Sequence, residues 1–371
     1  MPHYITKPKS QYPYADQLSS MACMTPFKHI EIHSHGQISV CCQTWLPKWC
    51  GNLLTDDPAT VLDNINRKTI VDDMRNGCFD HCNDLCPQLN KYLTNGPSGD
   101  QTWSIVPVDS LEQRIIKEPY WVYFSYDPSC NLQCPSCRTN LIVYRPDNSA
   151  DKDAARIVII HNKVKEIIKL LLATGSEVRL SITGSGDPFA SPLYWEYLKE
   201  LASTPQPSTL KIILQTNGVM MTEQNLLEIK SLWPHISYMN ISIDAATEGT
   251  YKIVRKNGNF KRLQKNLDTF DSMIVDGCFP NFEGWQTNFI VQRDNYKELG
   301  KFIEWQLTFK SKPMVWTNLI SQWYHMSDEV FNKMAIWQDN HPDRAELVEI
   351  LKNPIFKNNQ IKLGNLSSLV S

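Results

Sequence analysis

The chain has no excess charge of either sign: 37 basic side chains against 39 acidic ones leave a formal net charge of −2 over 371 residues. A surface so balanced lacks the broad positive field that draws nucleic acid or anionic membrane, so neither is expected as a partner. Long apolar runs are missing too, and none reaches the length of a membrane span. The first twenty residues mix prolines, tyrosines and polar groups without the apolar core of a secretory signal, which makes a soluble cytoplasmic protein the expectation. There is no internal repeat and no low-complexity tract. Beyond residue 137 only Cys278 remains of eleven cysteines. In a reducing compartment, ten thiols crowded into the first 137 residues suit metal ligation better than disulfides.

What is present is enough apolar material, 42% of residues, to fill a sizeable core. After residue 115 short apolar runs alternate with longer amphipathic stretches, the pattern of strand-helix units around a parallel sheet. Strands are predicted at 121–126, 178–183, 210–215, 238–243, 285–291 and 314–320, with helices at 152–174, 194–203, 222–231, 250–275 and 296–310. Right-handed crossovers would curl six such units into a partial barrel, short of the eight that close one. Before residue 115 the pattern differs. Two short strands, 28–33 and 37–41, turn at His35-Gly36, and a helix is predicted from a cap at Asp57 and Pro58 to Gly77. The run Asn95-Gly-Pro-Ser-Gly-Asp100 reads as a linker. The expected division is a tail 1–20, a cysteine-rich unit 21–95, a linker 96–114, a barrel 115–325 and a helical extension 326–371.

The densest chemistry follows the first barrel strand, where Cys130, Cys134 and Cys137 stand in C-x3-C-x2-C spacing. Three thiolates on one loop can hold three irons of a four-iron four-sulfur cube and leave the fourth iron open. The alternatives are a structural zinc site or three unrelated buried thiols. Zinc normally closes with four ligands, and no further Cys or His follows Cys137 nearby; the next histidine, His161, falls inside a predicted helix. The motif resembles the signature of the radical S-adenosylmethionine (SAM) enzymes, with Ser136 where that family usually has an aromatic residue. The resemblance implies a 4Fe-4S cluster whose open iron is chelated by SAM. It also implies reductive cleavage of SAM to a 5′-deoxyadenosyl radical.

A second set, Cys23, Cys41, Cys42, Cys50, Cys78, Cys82 and Cys86, falls on the N-terminal unit. Its order, Cys23, Gly36-x4-Cys41, Gly51-Asn52-Leu53, a helix ending at Gly77, then Cys82-x3-Cys86-Pro87, resembles the twitch or SPASM auxiliary-cluster domain. That domain usually follows the barrel and ends in C-x2-C; here it precedes the barrel and ends in C-x3-C. The resemblance implies a second, auxiliary 4Fe-4S cluster held by Cys23, Cys41, Cys82 and Cys86. A four-cysteine zinc site would staple a small domain equally well.

Reactive groups of parallel barrels collect at the carboxyl ends of the strands. The second strand ends in Gly184-Ser185-Gly186-Asp187-Pro188, similar in place and character to the family's Gly-Gly-Glu-Pro loop, which receives the SAM amino group. The third ends in Gln215-Thr216-Asn217-Gly218 and the fourth in Ser242-Ile243-Asp244, both similar to family segments that line the ribose and methionyl groups. Read alone, these are also a glycine-proline turn, an Asn-Gly turn and a helix cap. Arg255 and Gln292 lie just beyond strand ends, within reach of a carboxylate or of substrate, or on the polar surface. Trp45, Trp49 and Trp285 line a channel or anchor the core. His33 and His35 read as surface residues, and Cys278, before the fifth strand, as a structural thiol.

The fold expected is α/β: a partial (β/α)6 TIM-like barrel of the radical SAM type preceded by a twitch/SPASM-like cluster-binding domain. The activity implied is hydrogen-atom abstraction by a radical SAM oxidoreductase. Auxiliary-cluster relatives frequently modify peptides, so a ribosomal peptide precursor leads. A sugar, nucleoside or amino acid is the alternative, and a reductase or a flavodoxin- or ferredoxin-like electron donor is the implied partner. A noncatalytic iron-sulfur or zinc protein for electron transfer or assembly is the reading of a different class.

Overall fold

The computed structural model of the chain describes residues 11–83, 86–97, 104–148, 150–323 and 325–370. In chain order its strands are β1 (Met21–Cys23), β2 (His29–His33), β3 (Ile38–Ser39), β4 (Ile105–Pro107), β5 (Tyr120–Ser125), β6 (Val178–Ile182), β7 (Leu210–Thr216), β8 (Ile236–Ser242), β9 (Gly284–Val291), β10 (Met314–Leu319) and β11 (Ile361–Lys362). Nine of them form one sheet in the order β11-β10-β9-β8-β7-β6-β5-β2-β3, while β1 and β4 pair apart from it. Every neighbour pair from β11 to β2 is parallel, and only β2 and β3 run antiparallel. The six strands predicted in the barrel are β5 to β10, with ends moved by at most two residues. The sheet is open, with β3 and β11 as its edges.

Strand periodicity decides which side of the sheet is filled. Val122, Phe124, Leu180, Ile182, Ile212, Leu214, Met239, Ile241, Phe289 and Val291 are buried in the main core. The helix Lys152–Ala173 covers part of that side with Ile157, Ile160, Val164, Ile167, Ile168 and Leu171, spaced at three and four residues, and Asp151 caps its first amides. The alternate residues, among them Tyr123, Gln215, Asn240, Gln286 and Asn288, stay partly open to solvent. The polar side of a parallel sheet with helices on the other is where a barrel of this kind keeps its interior.

Several expectations need revision. The predicted 28–33 and 37–41 hairpin forms as β2 and β3, but it continues the barrel sheet: β2 pairs parallel with β5, Glu31 opposite Tyr123. The helix expected from Asp57 starts later, at Ile65, because Asn64 breaks the chain into an extended turn and caps Ile65–Arg75 with its own side chain. Asp57 still accepts from the Ala59 amide, closing a turn in place of a helix. The stretch 250–275 divides into Glu248–Val254 and Phe260–Val275, with Asn257 in the left-handed region between them. Residues 104–114, expected within a linker, contain β4 and most of the helix Val108–Lys117, and β4 pairs with β1. The C-terminal segment carries the expected helices and also β11, which extends the sheet beside β10. Residues 98–103, part of the expected linker, and 1–10 of the expected tail lie outside the described residues. No helix among the described residues is long and apolar enough to cross a membrane.

His161, in the long helix, is buried, and its Nδ1 is hydrogen-bonded to Tyr126 Oη at 2.8 Å. Burial, with help from Lys165, pushes its pKa down to about 3. The unfolded chain, with an ordinary histidine, therefore binds more protons than the folded one between about pH 6.5 and 3, and stability falls with pH across that window. At pH 5 this one group costs about 2 kcal/mol relative to pH 7 or above. Urea midpoints at pH 7 and pH 5 should move apart less in His161→Gln than in the wild type. Equal spacing in both would show that His161 does not titrate in this way.

Candidate active site

The loop leaving β5 is pinned from several sides before it reaches the thiols. Asp127, buried below it, accepts from the Ser129 amide at 2.9 Å and the Ser191 hydroxyl at 2.5 Å. The Asp127 amide donates to Tyr194 Oη at 2.9 Å, and Tyr144 N donates to Ser129 Oγ at 2.8 Å. The Gln133 amide reaches the Lys256 carbonyl at 3.0 Å, fastening the loop to the segment after β8. Cys130 and Cys134 are buried and Cys137 is partly open, and none of the three is in a disulfide.

Each of the three thiols faces its own donor. Cys130 Sγ accepts from Leu132 N at 3.4 Å and Asn217 Nδ2 at 3.7 Å, Cys134 Sγ from Arg255 Nη1 at 3.6 Å, and Cys137 Sγ from Arg138 Nη2 at 3.5 Å. Burial pushes the Cys130 thiol up to about 12, with Asp187 adding to it and the Leu132 amide and Arg138 opposing. Burial also raises Cys134, against the pull of Arg255. Thiolates here are thus costly without a metal, and the two guanidiniums and the amides are placed to favour the ionised form once one is present.

The loop after β6 lies against the cysteine loop at a distance only glycine permits. A Cβ on Gly184 would stand 2.2 Å from Ser125 Oγ, and one on Gly186 2.5 Å from the Asp127 carbonyl oxygen and 2.6 Å from that of Ser129. Asp187 is fully buried, and its Oδ2 accepts from Thr216 Oγ1 at 2.8 Å, Asn217 N at 2.8 Å and Asn217 Nδ2 at 2.7 Å. Its carboxylate therefore knits the exits of β6 and β7 together. Pro188 is buried behind it. Asn217 links this knot to the cluster loop through Cys130 and through Asn131 Oδ1 at 2.9 Å.

At the exit of β8, Asp244 adopts φ +62° and is buried; it pairs with Arg255 Nη2 at 2.7 Å and accepts from the Ile290 amide at 2.7 Å. Arg255 thus spans Asp244 and Cys134, a role beside the thiols that its position past a strand end did not reveal. Ser242 sits half-buried opposite Asn288. Gln215 is opposite Asn240, and Asn240 opposite Gln286, so three amides form a row across the open side of the sheet. Gln286 Nε2 donates to Asn288 Oδ1 at 2.8 Å, extending the row. Asn240, Gln286 and Asn288 were not among the sequence-predicted site residues; their signal was a polar residue at every second position of an otherwise apolar strand. Gln292 is buried and its amide donates to Asn295 Oδ1, turned into the chain rather than toward the thiols.

Two cavities flank Cys137 and share Trp323. One, of about 540 Å³, is lined by Glu31, His33, Ser125, Arg138, Arg156 and Ser185. The other, of about 620 Å³, is lined by Ser136, Asp244, Arg255, Ile290 and Asn318. His33, read as a surface residue, is half-buried in the first, with Nε2 3.0 Å from Ser39 Oγ; His35 sits exposed at its rim. Glu31 accepts from Ser125 Oγ at 2.8 Å. Burial would raise its carboxyl, but His29, His33 and the Ser125 hydroxyl outweigh that and hold it below the usual range. These groups enter the cavity because β2 joins the sheet beside β5, a pairing that hydrophobic pattern does not announce. Trp49 packs edge-on against His33 with centroids 4.9 Å apart, whereas Trp285 is buried among Phe270 and Phe309.

In the N-terminal unit, burial raises the Cys41 thiol, and the fields of Cys23, Cys86, Cys82 and Cys42 raise it further. Burial pushes Cys23 up to about 11, with Cys86 contributing. Cys41 therefore feels the charges of the other three thiols of the expected second cluster, and that of Cys42. Cys50 is buried in a small core against which Cys41 and Cys82 pack, its Sγ 3.8 Å from the Lys48 carbonyl. Trp45 packs with Cys23 and Cys82 around the same small core. Among the described residues, no three His, Cys, Asp or Glu side chains are grouped as one metal ion would require.

Residues 125–303, from the end of β5 to the helix Leu299–Gln306, match the model of the Radical SAM superfamily. An S-adenosylmethionine-dependent nucleotide dehydratase of Lacinutrix mariniflava is 27% identical over 193 residues, 50% of this chain and 35% of that protein. A GTP 3′,8-cyclase of Petrotoga mobilis is 24% identical over 220 residues, 56% of this chain and 60% of that protein. The chain thus spans less than two thirds of either curated relative. A solved structure described as native anSMEcpe with bound AdoMet and Cp18Cys peptide aligns over 58% of this chain and 55% of its own, at 16% identity and a TM-score of 0.41.

Proposed function

Because the chain belongs to the radical SAM superfamily, we propose that it cleaves SAM at a 4Fe-4S cluster held by Cys130, Cys134 and Cys137 and abstracts a hydrogen atom from a small polar substrate of the nucleotide class. The observation that carries this reading is the provision of a separate hydrogen-bond donor for each of the three thiols, beside a glycine loop packed on the same backbone. The donor set fits the group: three thiols on one loop and the partly buried guanidiniums of Arg138 and Arg255 beside them to favour thiolate charge. Bound there, the cluster supplies the electron that splits the SAM sulfonium.

The chain's own residues supply position. Gly184 is exposed and Ser185 half-buried beside Cys137, room that would take the methionyl end of SAM, while Asp187 holds that loop to β7 from below. Ser242, Asn288 and the cavity at Asp244 offer short polar groups to hydroxyls. The row Gln215, Asn240 and Gln286 is uncharged and presents both donors and acceptors, the chemistry that reads the edge of a heterocyclic base. Cavities of this size suit a small molecule, and both curated relatives are named for nucleotide chemistry.

The peptide reading rests on the resemblance of the Cys23, Cys41, Cys82 and Cys86 order to an auxiliary-cluster domain, supported by the charges of the other three bearing on Cys41. Such a cluster, ligated by four cysteines, would pass electrons rather than bind substrate. A reductase or a small flavodoxin- or ferredoxin-like protein is the proposed electron source.

The test uses the full chain reconstituted anaerobically with iron and sulfide, then SAM, dithionite and each of the four ribonucleoside triphosphates deuterated in the ribose. One nucleotide should speed 5′-deoxyadenosine release and pass deuterium into it. SAM cleavage with no stimulation or transfer from any nucleotide would overturn the substrate class and leave the peptide reading in its place.

A further inference from the structure

Two guanidiniums reach the thiols of the C-x3-C-x2-C loop, and their charges are not equivalent. Arg255 is within 3.6 Å of Cys134 Sγ but is neutralised by Asp244 at 2.7 Å. Arg138 has no such partner: among the described residues no carboxylate stands within ion-pair distance of it. Its Nη1 donates to the Pro128 carbonyl at 2.5 Å, and its Nη2 to the Ser185 carbonyl at 2.6 Å and to Cys137 Sγ at 3.5 Å. Burial disfavours this cation, yet the fields of Cys137, Cys130 and Cys134 hold its pKa above the usual arginine value. Arg138 thus reaches the thiol loop at Cys137, with Asp127 in the range of its field but no ion-pair partner among the described residues.

We propose that Arg138 sets the reduction potential of the cluster and ties it mechanically to the Ser185 loop, an inference that rests on the cluster assignment above. Reduction adds one electron to the cluster, with no bond made or broken, and the negative charge it brings lies beside a fixed positive one. A cation so placed stabilises the reduced form more than the oxidised one and raises the potential. Two carbonyls, one on each loop, prevent the guanidinium from turning toward solvent, so its field does not dissipate as a mobile lysine's would. The same pair of hydrogen bonds fixes the distance between Pro128, on the thiol loop, and Ser185, on the loop assigned to SAM. Arg138 directly follows Cys137 and was passed over in the sequence because a lone arginine after a cysteine motif carries no pattern of its own.

The experiment compares reconstituted wild type, Arg138→Gln and Arg138→Lys by iron content and by redox titration with dithionite and mediators, read by electron paramagnetic resonance of the reduced cluster. At the wild-type midpoint, the ratio of reduced to oxidised cluster should fall at least tenfold in Arg138→Gln, a shift of about 59 mV to lower potential for a one-electron couple. Arg138→Lys, which keeps the charge but not the two anchoring hydrogen bonds, should recover part of that shift. Full iron loading with an unchanged midpoint in Arg138→Gln overturns the inference and leaves the cluster assignment intact. A wild type that holds no reducible cluster overturns the assignment itself. If Arg138→Gln alone fails to hold iron, Arg138→Lys should restore loading; iron missing from both, with wild type loaded, contradicts a role based on charge.

Discussion

Replacing Cys130, Cys134 and Cys137 together with alanine should remove about four irons per reconstituted chain and reduce dithionite-dependent deoxyadenosine formation to background. The effect is total rather than graded because all three proposed thiolate ligands are removed at once. The fold should persist: the three thiols form a small cluster with Leu132, separate from the main core of the sheet. Far-ultraviolet circular dichroism of the variant should therefore match that of the metal-free wild type. Replacing Cys23, Cys41, Cys82 and Cys86 instead should leave deoxyadenosine formation measurable, since those thiols lie outside the matched residues 125–303. Retained SAM cleavage in the Cys130, Cys134 and Cys137 variant would move the catalytic cluster away from this loop.

Arg255→Ala should have the second largest effect, this time on stability. It leaves Asp244 buried with a carboxylate that only the Ile290 amide satisfies. Removing one partner of a buried ion pair costs about 3–5 kcal/mol, and the urea midpoint should drop accordingly. The double variant Asp244→Asn with Arg255→Met should regain much of that loss, because it removes both charges at once. Asparagine also tolerates the left-handed backbone at position 244. A single variant that loses less than about 1 kcal/mol, the scale of an exposed pair, would mean that solvent or a rearranged side chain replaces the bridge. The pair does a second job: with Arg255 neutralised, its hydrogen bond orients Cys134 without adding net charge, which leaves the charge at the site to Arg138.

The parallel sheet was legible because β5 to β10 are short apolar runs, and the amphipathic stretches between them match the helices laid on them. What escaped was any pairing between elements far apart in the chain. Glu31 and His33 read as residues of a hairpin until β2 is seen beside β5; nothing local records that His33 pairs with Ser125, 92 residues further on, in the same sheet. Hydrogen-bond partners escaped for the same reason. Asp187 was recognisable as part of a strand-end loop, but its bonds to Thr216 and Asn217 belong to the next strand. Arg255 was noted for its place past a strand end, while Arg138 carried no signal. The amide row from Gln215 to Gln286 was hidden in strands assigned correctly, since alternation marks which residues face away from the core without saying what they meet. The thiols of the N-terminal unit were grouped from their order alone, and Cys41 does feel Cys23, Cys82 and Cys86 most directly among its neighbours, together with Cys42.

The most direct test of the account is iron counting on the anaerobically reconstituted full chain, paired with a dithionite-dependent assay for 5′-deoxyadenosine from SAM. About four irons per chain are expected from the first loop and about eight with the N-terminal cluster filled, with deoxyadenosine formed in either case. Zinc in place of iron, or a loaded cluster that leaves SAM intact, would contradict radical catalysis.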